Sequence, residues 1–371
     1  MSQGPLIFLI AGEASGDQLG ADLMASLKDL QNVRFAGIGG ERMQAQGLQS
    51  LFPMEELSIM GIFGILRNLP RLLQRLRLTV STIIKMKPDV VVTIDAPEFS
   101  FRVMKQLHKL SLRPCLIHYV APTVWAWRPG RARKVAQFLD HLLCLYPFEP
   151  PYFEKYGLRS TFVGHPVAEE AFEKSKRDSN LLCVLPGSRR SEVETLLPIF
   201  KEMVALLKKD FCDLKVVVPT LSSVEPLVRQ GVENWPCEVQ VVVGDDARKD
   251  AFQKASVALA ASGTVALQLS AACLPFIIAY KIGTISGWLA RILIKTPWVC
   301  MVNVLLNKQA IPELLQENCT PEKLASAVGH LLRGKDARAH QEKAMDEAIA
   351  LLKAPPERAA KVVLEEVLLR V

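Results

Sequence analysis

The chain contains eight cysteines, at 115, 144, 183, 212, 237, 273, 300 and 319, and no two stand closer than nineteen positions. There is therefore no CxxC pair, and the ligand spacing of a structural zinc site is missing. Cys115, Cys144 and Cys183 lie in apolar runs, where a thiol acts as a small hydrophobe, so reduced cysteines and a cytoplasmic setting are expected. No GxGxxG and no GxxxxGK[ST] occurs, which leaves dinucleotide and P-loop readings without support. No DxD occurs either, so nothing suggests a metal-bridged diphosphate. Repeats and low-complexity tracts are absent. The apolar run Leu6–Ala11 has no basic segment before it and is too short for a signal peptide. Charge of one sign is only mildly in excess: 45 Lys and Arg against 38 Asp and Glu give +7. That balance suits an anionic partner such as a phosphate or an acidic membrane surface, and it does not indicate nucleic acid.

What is present is ample core material. Half of the 371 residues are hydrophobic and 22% are charged, which excludes a mainly disordered chain. The length suggests two domains. Apolar runs at Leu6–Ala11, Val33–Ile38, Val90–Ile94, Leu116–Val120 and Leu142–Leu145 read as strands. They alternate with helical stretches at Asp17–Leu30, Leu66–Lys87 and Phe99–Leu110. Near-continuously apolar strands between helices indicate a parallel sheet covered on both faces. A break falls at Phe148-Glu149-Pro150-Pro151, and Glu169–Asn180 is polar enough for a linker. The pattern then restarts with strands Leu181–Leu185, Leu214–Val218 and Val239–Val243, a helix Ser191–Lys208, and a helical tail over Pro321–Leu332, Arg338–Leu352 and Glu357–Leu369. Ala255–Tyr280 holds no charge and is long enough for a membrane span, but its Ser, Gly, Gln and Pro favour strand, turn Ser262–Thr264, helix Val265–Cys273 and strand Phe276–Tyr280. The expected fold is α/β, with two doubly wound halves facing a cleft.

Six places along the chain carry candidate chemistry. Gly12-Glu13-Ala14-Ser15-Gly16-Asp17 follows the first strand and opens a helix; it is either a ligand-approaching loop or a tight turn capped by Ser15 or Asp17. Pro186-Gly187-Ser188-Arg189-Arg190 combines a turn, a hydroxyl, a helix N-terminus and guanidinium groups, which suits a diphosphate; a capped helix with solvated arginines is the alternative. Ser262-Gly263-Thr264 supplies a second such loop. Asp95 ends an apolar strand, where a carboxylate is either a general base or a cap for the next helix. Two segments suit lipid or, alternatively, a protein core: Met60, Ile62, Phe63, Ile65 and Leu66, followed by Arg67, Arg71, Arg75 and Arg77, where a core helix with solvated arginines is the favoured reading of the residues, and the loop holding Trp125 and Trp127 before Arg128, where a buried aromatic loop is the alternative.

Taken in order, AGEASGD (11–17), GIGGERM (37–43), LSIMG (57–61), IDAPEF (94–99), HYVAPTVWAWRP (118–129), FVGHP (162–166), LPGSR (185–189), ASGTVAL (261–267) and PELLQENCTPEKLA (312–325) resemble the lipid-A-disaccharide synthase family. The resemblance spans nearly the whole chain. It implies a GT-B fold: an acceptor and lipid-side domain over 1–168, a UDP-sugar-binding domain over 169–353, and a C-terminal helix, 354–371, returning to the first. It implies an inverting transfer from UDP-2,3-diacylglucosamine to 2,3-diacylglucosamine 1-phosphate (lipid X), without metal or other cofactor, at the inner leaflet of the cytoplasmic membrane. A homodimer is compatible with it. By resemblance, Asp95 is the base. Ser188, Arg189, Ser262, Gly263, Thr264, Gln268 and Asn303 meet the UDP-sugar. Glu13, Ser15 and Gly16 form a cleft loop. Met60, Ile62, Phe63, Ile65, Leu66, Arg67, Arg71, Trp125 and Trp127 meet acyl chains or the lipid surface. The family usually carries Glu where Gln268 stands, and Leu-Pro-Asn where Met301-Val302-Asn303 stands.

Overall fold

The computed structural model describes residues 4–57, 62–172, 176–261, 265–281 and 296–369, with the side chains of 62–68 left aside. It divides into two units, Met1–Pro166 with Ala354–Val371, and Val167–Lys353. Each is an α/β unit around its own six-stranded parallel sheet.

The first unit runs β1 (Leu6–Ala11), α1 (Ala14–Leu30), β2 (Arg34–Ile38), α2 (Glu41–Ala45), α3 (Ile62–Met86), β3 (Val90–Ile94), α4 (Pro97–Leu107), β4 (Cys115–Tyr119), α5 (Gly130–Val135), β5 (His141–Cys144), α6 (Pro151–Glu154) and β6 (Arg159–Phe162). The sheet order is β2-β1-β3-β4-β5-β6. β1, β3, β4 and β5 are buried along their whole length, as strands covered on both faces must be. In α3, Leu76, Val80 and Ile83 are buried at helical spacing against this core.

The second unit contains β7 (Asp178–Leu185), α7 (Arg190–Leu207), β8 (Lys215–Thr220), α8 (Glu225–Val232), β9 (Val239–Val243), α9 (Asp245–Lys254), β10 (Ala255–Ala260), α10 (Val265–Ala271), β11 (Phe276–Tyr280) and β12 (Glu313–Leu315), in the order β12-β11-β10-β7-β8-β9. The uncharged segment is strand, helix and strand, as its composition implied; its turn, 262–264, lies outside the described residues. No described helix is long and apolar enough to cross a membrane.

Several local expectations are corrected. The polar stretch 169–180 is not all linker, because Asp178–Asn180 opens β7. β6 was missed because its sequence, Arg-Ser-Thr-Phe, is that of a polar edge strand. α9 was missed because it buries only Ala251 and Phe252 in a charged decapeptide. Asp17 does not cap its own helix. It lies inside α1, and its carboxylate accepts N–H bonds from Gly40 (2.7 Å), Arg42 (3.0 Å) and Met43 (3.1 Å), capping α2 instead.

The chain ends in the helix Arg358–Leu368, which packs on the first unit. Its buried Glu366 accepts from Arg159 at 2.6 Å and pairs with His141 Nδ1 at 2.7 Å, while His141 Nε2 reaches Thr161 Oγ1 at 2.8 Å. Removing one partner of a buried charged network leaves the others unsatisfied. Arg159 is half exposed and keeps its water, which reduces the loss. Glu366→Ala is expected to lower unfolding free energy by about 2–3 kcal/mol in urea titration; a change within experimental error would show that the helix is held by its apolar face alone.

Candidate functional site

In a parallel sheet the crossover helices part company where the strand order reverses, leaving a crevice beyond the carboxyl ends of the two strands involved. In the first unit that point lies between β1 and β3, which pair in parallel with Ala11 opposite Ile94. The residues that follow these strands are Gly12-Glu13 and Asp95-Ala96. The two loops touch: a Cβ on Gly12 would fall 2.6 Å from Ala96 Cβ, so the close approach requires glycine.

Asp95 and Ala96 both have left-handed backbone, with φ of 51° and 44°, and Val120 at the end of β4 has φ of 81°. Such conformations cost on the order of 1–3 kcal/mol each and concentrate where geometry serves a ligand. The turn is held by Ser100 Oγ donating to Asp95 O (2.9 Å) and by Ala96 N donating to Asp95 Oδ1 (2.9 Å). Burial raises the Asp95 carboxyl above the usual carboxylate range, the Ala96 bond opposing it. Glu13 is also raised, first by burial and then by the charge of Asp95. The crevice thus holds two neighbouring carboxyls of raised basicity. Ser15 is exposed in the first turn of α1, and Gly16 is buried beneath it against β3.

The second unit has the same construction between β7 and β10. A cavity of about 550 Å³ opens there, lined by Gly187, Ser188, Arg189, Thr220, Arg248 and Gln268 among others. Gly187, with φ of 113°, turns the chain into α7. The amides of Ser188 and Arg189 do not point into empty space: both donate to Glu192 Oε2, at 3.0 and 3.2 Å. Arg189 Nη1 donates to Glu192 Oε1 at 3.0 Å, and Tyr280 Oη donates to the same oxygen at 3.4 Å. A buried internal carboxylate therefore holds the donors that would meet a diphosphate. Ser262, Gly263 and Thr264 lie outside the described residues.

Sequence reasoning missed three members of this cavity. Thr220 Oγ1 is buried and without a partner among the described residues. Arg248 pairs with Asp245 at 3.1 Å, at the turn after β9. Glu192 was read only as part of a helix. Its position three residues after Arg189, at the third turn position of the helix, was the available signal. Asn303 does not line the cavity. It is fully buried, its amide nitrogen donating to Ile311 O and Glu313 and its oxygen accepting from Ala310 N and Ile311 N, all at 2.8 Å.

Of the lipid-facing candidates, Met60 lies outside the described residues, as do the side chains of Ile62, Phe63, Ile65, Leu66 and Arg67. Arg71 is exposed and lies 3.3 Å from Glu56, which Arg75 clasps with two bonds. Trp127 is exposed beneath the Arg128 guanidinium, 4.3 Å from its centroid. Trp125 is engaged internally: it meets Tyr146 and Phe148 edge-on and donates to Glu149 at 3.2 Å.

Two parallel six-stranded sheets with crossover helices define the α/β GT-B class. The UDP-GlcNAc 2-epimerase of Neisseria meningitidis bound to UDP-GlcNAc superposes with a TM-score of 0.59 at 10% identity, covering 98% of this chain and 99% of its own. The glycosyltransferase of kitacinnamycin does so with 0.65 at 14%, covering 99% and 100%. At such identities these likenesses establish the fold alone. The sequence settles the rest: residues 7–367 match the lipid-A-disaccharide synthetase family. The lipid-A-disaccharide synthase of Rhodospirillum centenum is 50% identical over 99% of this chain and 96% of its own. The chain belongs to the lipid-A-disaccharide synthase family and is a hexosyl-transferring glycosyltransferase.

Glu149 offers a titration test of the Trp125 loop. Burial pushes its carboxyl up to about 7, against bonds from Tyr146 N and Trp125 that oppose the rise. A raised carboxyl keeps its proton in the folded state after the unfolded chain has lost it. The resulting stability is complete below the ordinary value and lost as pH rises through about 7. Between about pH 5 and 8, wild-type stability is expected to fall relative to Glu149→Gln by about 2–3 kcal/mol. Parallel urea-unfolding profiles would show that Glu149 stays charged throughout.

Proposed function

We propose that the chain transfers 2,3-diacylglucosamine from UDP-2,3-diacylglucosamine to the 6-hydroxyl of 2,3-diacylglucosamine 1-phosphate, giving the β-1,6-linked tetraacyl disaccharide 1-phosphate and UDP. The observation that carries the reading is Asp95: a partly desolvated carboxyl, held in a strained turn at the reversal point of the first sheet, in a chain of this family. A raised carboxyl is a better proton acceptor, and the strained turn fixes its direction.

In the proposed reaction the acceptor O6 gives its proton to Asp95 and attacks the donor anomeric carbon. The bond to the UDP oxygen breaks on the opposite face, and configuration inverts. UDP leaves with charge on its diphosphate. The Ser188 and Arg189 amides and the Arg189 guanidinium are the candidate stabilisers, together with the Ser262–Thr264 loop. They would serve without divalent metal. Gln268 lines the cavity and offers an amide to the nucleotide ribose, where a carboxylate would accept two bonds.

The work is placed at the inner leaflet of the cytoplasmic membrane, the protein binding peripherally. The arginines of α3 and the exposed Trp127 are the candidate contacts with an anionic interface. Both substrates carry acyl chains, so access to that surface is a requirement of the chemistry.

The test is UDP release by purified protein given both acylated sugars in detergent micelles with a chelator present. Release is expected to need both lipids, and Asp95→Asn is expected to lower kcat by about 10²–10⁴. Full activity in Asp95→Asn would move the base elsewhere, and absence of release by the wild type would remove the proposed substrates. Arg189→Gln is expected to raise the KM for the UDP-sugar by about tenfold, the loss of one charge-assisted contact, while leaving the KM for the acceptor unchanged.

A further inference from the structure

A second concave feature lies in the first unit between α4 and α5, a basin of about 560 Å³. Arg102, Lys105, Arg128, Arg131 and Lys134 line it, and Glu98 is the one acid among the described lining residues. Glu98 is exposed and reaches only Arg131, at 3.5 Å. Five cations facing one acid across a shared hollow repel one another.

Three of these cations are oriented by aromatic rings. Arg131 lies over Phe101 at 5.2 Å, Lys105 over Phe138 at 5.3 Å, and Arg128 over Trp127 at 4.3 Å. Phe101 and Phe138 are themselves buried and meet edge-on at 5.5 Å, so the seats of Arg131 and Lys105 are part of the core, while Trp127 is exposed. Ring faces fix the positions of the cations without neutralising them. A basin with fixed, uncompensated positive charge is suited to a compact, multiply charged anion. A phosphate monoester carries close to two negative charges and three acceptor oxygens, and arginine forks match its geometry.

Its position indicates which phosphate. The lining begins at Pro97, two residues along the chain from Asp95, and continues down α4 to Lys105. The basin's lining thus starts at the first residue of the helix that follows the turn of the proposed base. We propose that this basin binds the phosphate monoester of the acceptor sugar, selecting a phosphorylated acceptor and directing the opposite end of the sugar to Asp95. The proposal rests on the acceptor reading given above. The same chemistry could be met by the phosphate of an anionic lipid headgroup, and the experiment separates the two sources.

The double variant Arg102→Gln/Lys134→Gln changes exposed cations only, so circular dichroism and thermal melting are expected to match the wild type. In neutral detergent micelles, its KM for acceptor with the 1-phosphate is expected to rise about tenfold or more, with kcat and the KM for UDP-sugar held. The wild-type preference for phosphorylated over dephosphorylated acceptor is expected to collapse. A binding measurement independent of turnover accompanies it: glucosamine 1-phosphate, and not glucosamine, is expected to protect Lys105 and Lys134 from acetylation, read by mass spectrometry.

Protection with no wild-type turnover would sustain the basin while removing the acceptor reading. Turnover with an unchanged phosphate preference in the double variant, and no protection, would overturn the basin. The headgroup source has its own arm, flotation with phosphatidylglycerol against phosphatidylcholine vesicles. Loss of phosphatidylglycerol binding by the variant, with acceptor preference intact, would also overturn the proposal.

Discussion

The structure depends most on a constraint of parallel sheets: every strand must be reached by a crossover, and the crossovers change face where the strand order reverses. In each unit that reversal falls between two strands that run side by side and are buried at their carboxyl ends, β1 with β3 and β7 with β10. The loops leaving those strands are therefore placed to converge on a ligand from both sides. AGEASGD and IDAPEF meet in the first unit for this reason. The Gly187 loop and the start of α10 meet in the second.

A second theme is the use of buried or half-buried carboxylates as hubs for backbone and side-chain groups. Asp17 holds three amides at the start of α2. Glu192 holds two at the start of α7. Glu313 receives Val299 N, Cys300 N and the Asn303 amide. Glu366 ties the last helix to β4, β5 and β6. Each carboxylate satisfies donors that would otherwise be lost from water inside the protein.

Much of this was legible in advance, and the reason is physical. Strands buried on both faces, such as Leu6–Ala11, appear as uninterrupted apolar runs, and glycine loops with helix starts punctuate them. Edge strands and solvent-facing helices lack that contrast, which is why Arg159–Phe162, Glu313–Leu315 and Asp245–Lys254 escaped. The candidate site was legible where residue type alone suggests chemistry, at Asp95, which lies at the reversal point of the first sheet, and at Arg189, which lines the cavity of the second unit. It was not legible where a residue acts through a partner distant in sequence. Nothing near Glu149 foretells Trp125, and nothing near Asn303 foretells that its amide would be consumed by the segment Ala310–Glu313. Strand order was equally hidden, since periodicity reports that strands exist and not which of them are neighbours.

The carboxylate of Glu192 has a kinetic implication for any nucleotide at the Gly187 loop. The amides there are already arranged around negative charge, so an incoming diphosphate must share them with the carboxylate or displace it. The same carboxylate remains within reach after bond cleavage and competes for the amides with the departing nucleotide. A loop with vacant amides would meet the same diphosphate without that competition.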